Sequence, residues 1–216
     1  MRVLVVGASR GTGAELVAEL VERGHVVTAF SRSRGAYADG VRVVTGDVLD
    51  PEAVGTAMVG QDAVAVTLGI PDNPFRVRLT RRASSRLDVR SAGTRAVLDA
   101  MSEHDVRRIV VQSTYGIGDT YRHLPLALKA FFTLAIRPQV EDHERQERMV
   151  RQSGLDWTIV RPTVLHDEPT DAPAHVSTDD SAPTMKVSRR QVARVVADAV
   201  EDAARAVQVL SVTAAA

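Results

Sequence analysis

Residues 1–30 read MRVLVVGASRGTGAELVAELVERGHVVTAF. Met1 to Val6 is a short apolar run rich in valine, and Gly7 to Gly13 is a glycine-rich turn. Leu16, Val17, Leu20 and Val21 then recur at helical spacing among Glu15, Glu19, Glu22 and Arg23. Gly24 stops the helix as a C′ residue, and His25 to Phe30 is the next strand. This is one β-turn-α-β unit. Glycines let the backbone turn tightly and come close to an anion, and a helix N-terminus offers unpaired N–H groups with a partial positive charge. Gly7 shapes the turn, Gly11 and Gly13 keep the approach open, and Ser9 and Thr12 add hydroxyls. Between a valine-rich strand and an amphipathic helix the motif predicts a pyrophosphate site, against the alternative of a tight turn with no ligand. The turn has no lysine, which argues against a Walker A loop.

The same alternation continues along the chain. Strands are expected at Val41 to Thr45, Ala63 to Leu68, around Ile109 to Val111, at Trp157 to Val160 and at Val207 to Val212. Asp50 caps a helix whose first residue is Pro51, ending near Gly60. Val77 to Met101 reads as mostly helical, with Leu79, Ala83, Leu87, Val97 and Leu98 turned inward and Gly93 a weak point. Two helical segments, Leu124 to Ile136 and Val140 to Gln152, are separated by Pro138. The last helix starts at Ser188, with Gln191 three residues on to complete a capping box. Nearly continuous apolar strands are buried on both faces. The expected fold is therefore α/β: a Rossmann-like, doubly wound, mostly parallel sheet with helices on both faces, forming a single domain over 1–216. His166 to Pro183 is rich in Asp and Pro with little periodicity, and reads as a long surface loop or substrate cover.

The second strand ends Ala29-Phe30-Ser31-Arg32-Ser33-Arg34. A site for unphosphorylated dinucleotide usually has an acid here, whereas a 2′-phosphate favours arginine. Arg32, Ser33 and Arg34, with Arg10 in the glycine turn, therefore point to NADP(H), against the alternative of a solvated basic loop. Asp47 and Val48 follow the third strand, where the adenine lies in such folds; Asp47 as a simple turn residue is the alternative. Thr67, Leu68 and Gly69 end the fourth strand along the ribose and diphosphate path. Ser113, Thr114 and Tyr115 end the fifth strand, the edge that meets a nicotinamide, and Tyr115 is placed to donate a proton or stack on an acceptor ring. Pro162 and Thr163 close the sixth strand, with Thr163 facing the nicotinamide and Arg161 expected to be structural.

The chain resembles the atypical short-chain dehydrogenase/reductase group, within it the flavin reductase/biliverdin reductase B-like and NmrA-like NAD(P)-binding proteins. The resemblance covers essentially the whole chain. It rests on VVGASRGTGAELVAELVERGHVVTAFSR, GDVLD, RRIVVQST and RQSGLDWTIVRP. The glycine turn departs from the group's usual form: Arg10 replaces its middle glycine, and Gly11 is added. The resemblance implies NADPH use and a redox reaction on a small aromatic or conjugated acceptor, such as a flavin or a tetrapyrrole. It places Ser113 at the active-site serine and His143 where many members carry a ribose-binding lysine. The bland alternative for His143 is a solvated helix residue; its unperturbed pKa lets it titrate near neutrality. Glu147, one turn on, is a helper or a helix-surface acid. The Tyr–Lys pair of classical relatives is missing: Tyr115 is followed four residues later by Asp119.

Three functions follow in order of weight. The first is an NADPH-dependent reductase of a flavin-, quinone- or tetrapyrrole-like acceptor. The second is a non-catalytic NADP(H)-sensing regulatory protein, and the third a short-chain sugar epimerase or dehydratase. Orientation by the protein suffices for an acceptor that is already electrophilic.

The bulk composition narrows the rest. Hydrophobic residues make up 44% and charged residues 25%, as in ordinary globular chains. Lys plus Arg and Asp plus Glu both total 27, so no net charge draws a polyanion. Arg76, Arg78, Arg81, Arg82, Arg86 and Arg90 form one basic cluster, read as a solvated face or the entrance to an anionic cofactor site rather than a nucleic-acid surface. No metal constellation and no Gly-x-Ser-x-Gly elbow is present, and cysteine is absent. No run has transmembrane length. A cytoplasmic monomer or small homo-oligomer, without nucleic-acid or membrane partners, is expected.

Overall fold

The computed structural model describes residues 1–69, 87–168 and 170–215. The first unit forms as its pattern predicts: β1 (Arg2–Val6), α1 (Thr12–Glu22) and β2 (Val26–Ser31). It is followed by β3 (Arg42–Thr45), α2 (Pro51–Met58), β4 (Ala63–Val66), α3 (Val89–Glu103) and β5 (Arg108–Gln112). A 3-10 turn (Gly118–His123) leads to α4 (Leu126–Leu134) and α5 (Arg137–Arg151). Then come β6 (Asp156–Pro162), β7 (Val164–His166), β8 (Ala174–Ser177), β9 (Lys186–Ser188), α6 (Arg189–Glu201) and β10 (Gln208–Ala214).

Local chemistry sets several of these boundaries. Asp50 Oδ1 accepts the N–H of Glu52 at 3.1 Å, with Pro51 as first helical residue of α2. The Ser188 hydroxyl accepts the N–H of Arg190, and the Ser188 N–H donates to Gln191 Oε1 at 3.1 Å, closing the capping box of α6. Gly24 ends α1 at φ +80°.

The main sheet has the order β3-β2-β1-β4-β5-β6-β10-β8. Every neighbouring pair is parallel except β10–β8. Alternate residues divide the core between the two faces. Val3, Val5, Val27 and Ala29 pack with Leu16 and Leu20 of α1 and the apolar side of α6. Leu4, Val6, Phe30, Val64 and Val66 pack with α2, α3 and the end of α5. Leu16 and Leu20 are completely buried, each contributing roughly 1.5–3 kcal/mol of hydrophobic stabilisation.

Three expectations are corrected. The stretch 166–183 is not a bare loop: β8 lies within it and pairs antiparallel with β10, because β10 offers an unpaired edge beyond β6. Pro138 does not separate two helices but sits in the first turn of α5, where a missing N–H costs nothing. Leu87 is exposed rather than inward. Of the helix expected over Val77 to Met101, the part from Val89 lies in α3, residues 87–88 form a turn, and 77–86, with Leu79 and Ala83, lie outside the described residues.

Candidate functional site

A cleft of about 830 Å³ opens at the carboxyl ends of β1, β2, β4, β5 and β6. β1 and β4 are adjacent in the sheet although β2 and β3 intervene in the chain, so the strand order reverses there. Such a switch point is where ligands bind in open α/β sheets.

At one end the glycine turn forms the floor. Gly7 has φ +92°, and a Cβ there would stand 2.8 Å from the Thr67 carbonyl oxygen. A Cβ on Gly13 would meet the Gly7 carbonyl oxygen at 2.2 Å, so α1 can approach the turn this closely only without a side chain. Gly13 thus lies behind the cleft, while Gly7, Ser9, Arg10, Gly11 and Thr12 line it. Gly11 is the N-cap of α1 and brings no side-chain acceptor, leaving room for an external anion at the helix start. Arg189, the first residue of α6, reaches over this turn: its Nε is 3.4 Å from where a Gly11 Cβ would be. Its Nη1 donates to Asp167 Oδ1 at 2.6 Å, and both residues line the cleft.

Arg32 and Ser33 line the side of the cleft beyond β2, and Arg34 does not. Asp47 and Val48 line the neighbouring wall. Asp47 also acts as a turn residue, its Oδ1 accepting the Leu49 N–H at 3.0 Å. Thr67, Leu68 and Gly69 continue the wall, and Gly93 of α3 packs so closely behind that a Cβ would be 2.7 Å from Val48 Cγ1.

At the other end lie Ser113, His143, Pro162 and Thr163. Ser113 is 3% exposed, and its Oγ is 3.5 Å from His143 Nδ1. His143 does not titrate near neutrality. Burial first, and the positive charge of Arg90 second, hold its pKa well below 6.5, against a smaller opposing hydrogen bond with Gln146. The imidazole is neutral and is no solvated helix residue. Tyr115 is placed differently from its expected role at the reacting edge. It lies outside the cleft among Ile117, Leu124 and Phe132, its hydroxyl donates to the Asp180 carbonyl at 3.0 Å, and burial pushes its pKa up.

Glu147 is neither helper nor surface acid. It receives Arg161 Nε at 2.8 Å and Nη2 at 2.7 Å, both residues are 4% exposed, and the pair fastens α5 to β6 beneath His143 and Thr163. Arg161 is structural, as its position suggested. Arg90 is not on a solvated face: it is 7% exposed and lines the cleft, while the other five arginines of its cluster lie outside the described residues. The place of Arg90 in the cleft wall agrees with the other reading of that cluster, the entrance to an anionic site, whereas the sequence does not single out Arg189 or Asp167. For Arg189 a signal existed, since it follows the N-cap of a helix that starts at the sheet's carboxyl edge. Among the described residues no group of three or more His, Asp or Glu can hold a metal ion, and no helix is long and apolar enough to cross a membrane.

An uncharacterized chloroplastic protein of Arabidopsis thaliana is 26% identical over 210 residues, covering 92% of this chain and 71% of its own length. The chain spans 15% of the length of several mycobacterial relatives. Many solved structures share the fold, among them the following two. A wide-type short-chain dehydrogenase/reductase from Veillonella parvula, solved in complex with NADP, superposes with TM-score 0.79 at 19% identity, covering 98% of this chain and 94% of the other. The anaerobilin reductase ChuY from Escherichia coli O157:H7 gives 0.73 at 23% identity, covering 99% and 97%. The NAD(P)H-binding family matches residues 7–203, which take in the glycine turn and both ends of the cleft, and the chain belongs to that family.

Proposed function

We propose that the protein is an NADPH-dependent reductase that passes hydride to a small conjugated acceptor of flavin, quinone or tetrapyrrole type. The observation that carries this reading is a single cleft with a glycine turn at one end and a buried Ser113–His143 pair at the other. Gly7, Gly11 and Thr12 hold the pyrophosphate by backbone approach, and Arg10 and Arg32 meet the 2′-phosphate. The V. parvula protein of the same fold was solved with NADP, and ChuY is named for a tetrapyrrole-type reduction; both support the reading by likeness.

NADPH, when bound, supplies the hydride. The chain's own residues orient and exclude water. The Ser113 hydroxyl donates to a carbonyl of the acceptor, and neutral His143, protonated at Nδ1, donates to Ser113 Oγ and keeps it aligned. Neither group is an acid at neutral pH, and Tyr115 is committed to Asp180, so this site suits an acceptor that is electrophilic before protonation.

The test is NADPH consumption against flavins, quinones and linear tetrapyrroles. Turnover above a no-protein control with at least one class is expected. No turnover across the panel, with dinucleotide binding intact, would replace this reading with that of a sensor. A sensor should discriminate strongly between NADP+ and NADPH.

A further inference from the structure

Arg90 sits in the first turn of α3, 7% exposed, in the wall of the cleft. Its Nε and Nη1 are buried and have no hydrogen-bond partner. The facing acid is Asp142 of α5, whose Oδ2 is 4.0 Å from Nη1, beyond hydrogen-bond reach. That carboxylate is engaged elsewhere. It accepts the N–H groups of Arg90 and Ser91 at 3.1 Å each and the Ser91 hydroxyl at 2.5 Å, capping α3 from a neighbouring helix. Asp142 thus balances much of the charge of Arg90 without satisfying its donors.

A buried guanidinium with open donors costs stability, which argues that a ligand completes it. Its planar fork matches a carboxylate with two parallel hydrogen bonds. The location selects which ligand. Asp142 is followed directly by His143, the charge of Arg90 acts on that imidazole, and His143 faces Ser113. Arg90 therefore belongs to the reacting end of the cleft.

We propose that Arg90 is the anion-binding residue of the acceptor pocket, so that the acceptor is a conjugated molecule bearing a carboxylate. The inference rests on the reductase reading above and narrows it.

Anthraquinone-2-carboxylate and its methyl ester test it, since they differ in charge with the same reducible ring. Two quantities are read: kcat/KM with NADPH, and calorimetric affinity for the protein saturated with NADP+. The wild-type chain should prefer the acid by about tenfold or more, the weight of a charged hydrogen bond. Arg90→Met should erase that preference in both readouts, Arg90→Lys should keep part of it, and the affinity for NADP+ should be unchanged in both. Equal handling of acid and ester by the wild-type chain would overturn the inference and leave the reductase reading standing; this comparison needs no variant to fold. A loss of NADP+ affinity in Arg90→Met matching the loss for the acid would overturn it too, by giving Arg90 to the dinucleotide. Preferential binding of the acid without reduction would uphold the anion site and sink the reductase. Neither binding nor reduction of either probe would overturn both.

Discussion

Asp167 and Arg189 give a prediction whose sign runs against the usual effect of a binding-site substitution. Arg189 hangs over the glycine turn with its Nη1 2.6 Å from Asp167 Oδ1, and the Asp167 side chain is 86% exposed. A pyrophosphate bound on that turn, as proposed, would compete with Asp167 for one guanidinium. An ion pair this open to solvent contributes only about 0–1 kcal/mol, so little is lost when it is broken. Asp167→Asn removes the competitor and a repulsive charge, and should tighten NADP+ binding by up to about fivefold. Arg189→Gln removes a charged hydrogen bond to phosphate, about 1.5–3 kcal/mol, and should weaken binding roughly 10- to 150-fold. Calorimetric titration with NADP+ at low and moderate salt measures both, and both effects should shrink as salt rises. Weaker binding by Asp167→Asn, or unchanged binding by Arg189→Gln, would refute the reasoning.

Three further outcomes are expected. Glu147→Gln leaves Arg161 buried without its bidentate partner; the expected loss is about 3–5 kcal/mol. Thermal denaturation should then show a drop in Tm of roughly 6–20 °C, and an unchanged Tm would mean that the pair does not fasten α5 to β6. Burial lowers the pKa of His143 in the folded chain below 6.5, so below that pH the unfolded chain binds the extra proton. The stability due to this group is complete above pH 6.5 and is lost as pH falls toward the folded value, with a slope of up to about 1.4 kcal/mol per pH unit. Denaturant titrations of His143→Gln should show a flatter dependence than the wild-type chain over that window. Arg32→Ala should weaken NADPH binding far more than NADH binding, and equal losses would remove Arg32 from the 2′-phosphate.

What could be read from the sequence is what is local. The glycine turn, the Asp50 cap and the Ser188–Gln191 box each lie within a few residues of the element they set, and each forms as expected. Burial of charge could not be read so easily. Arg90 and Asp142 lie 52 residues apart on different helices, and an arginine is exposed far more often than buried. His143 sits between Asp142 and Glu144 and resembles a solvated residue. Yet His143, Glu147 and Val150 follow helical spacing, and that stripe is the inward face of α5. Tyr115 was misplaced because the backbone partner of its hydroxyl, Asp180, is 65 residues away. β8 was missed because four residues of a proline-rich segment become a strand only where β10 presents its edge.

The central claim is that a dinucleotide rests on the turn between β1 and α1. It is tested most directly by calorimetric titration of the chain with NADPH and NADH, in parallel with Gly13→Val. Saturable binding with NADPH the tighter is predicted. The Gly13→Val chain should lose both, because its Cβ would lie 2.2 Å from the Gly7 carbonyl oxygen. No saturable binding of either dinucleotide by the wild-type chain, or undiminished binding by Gly13→Val, would contradict the account.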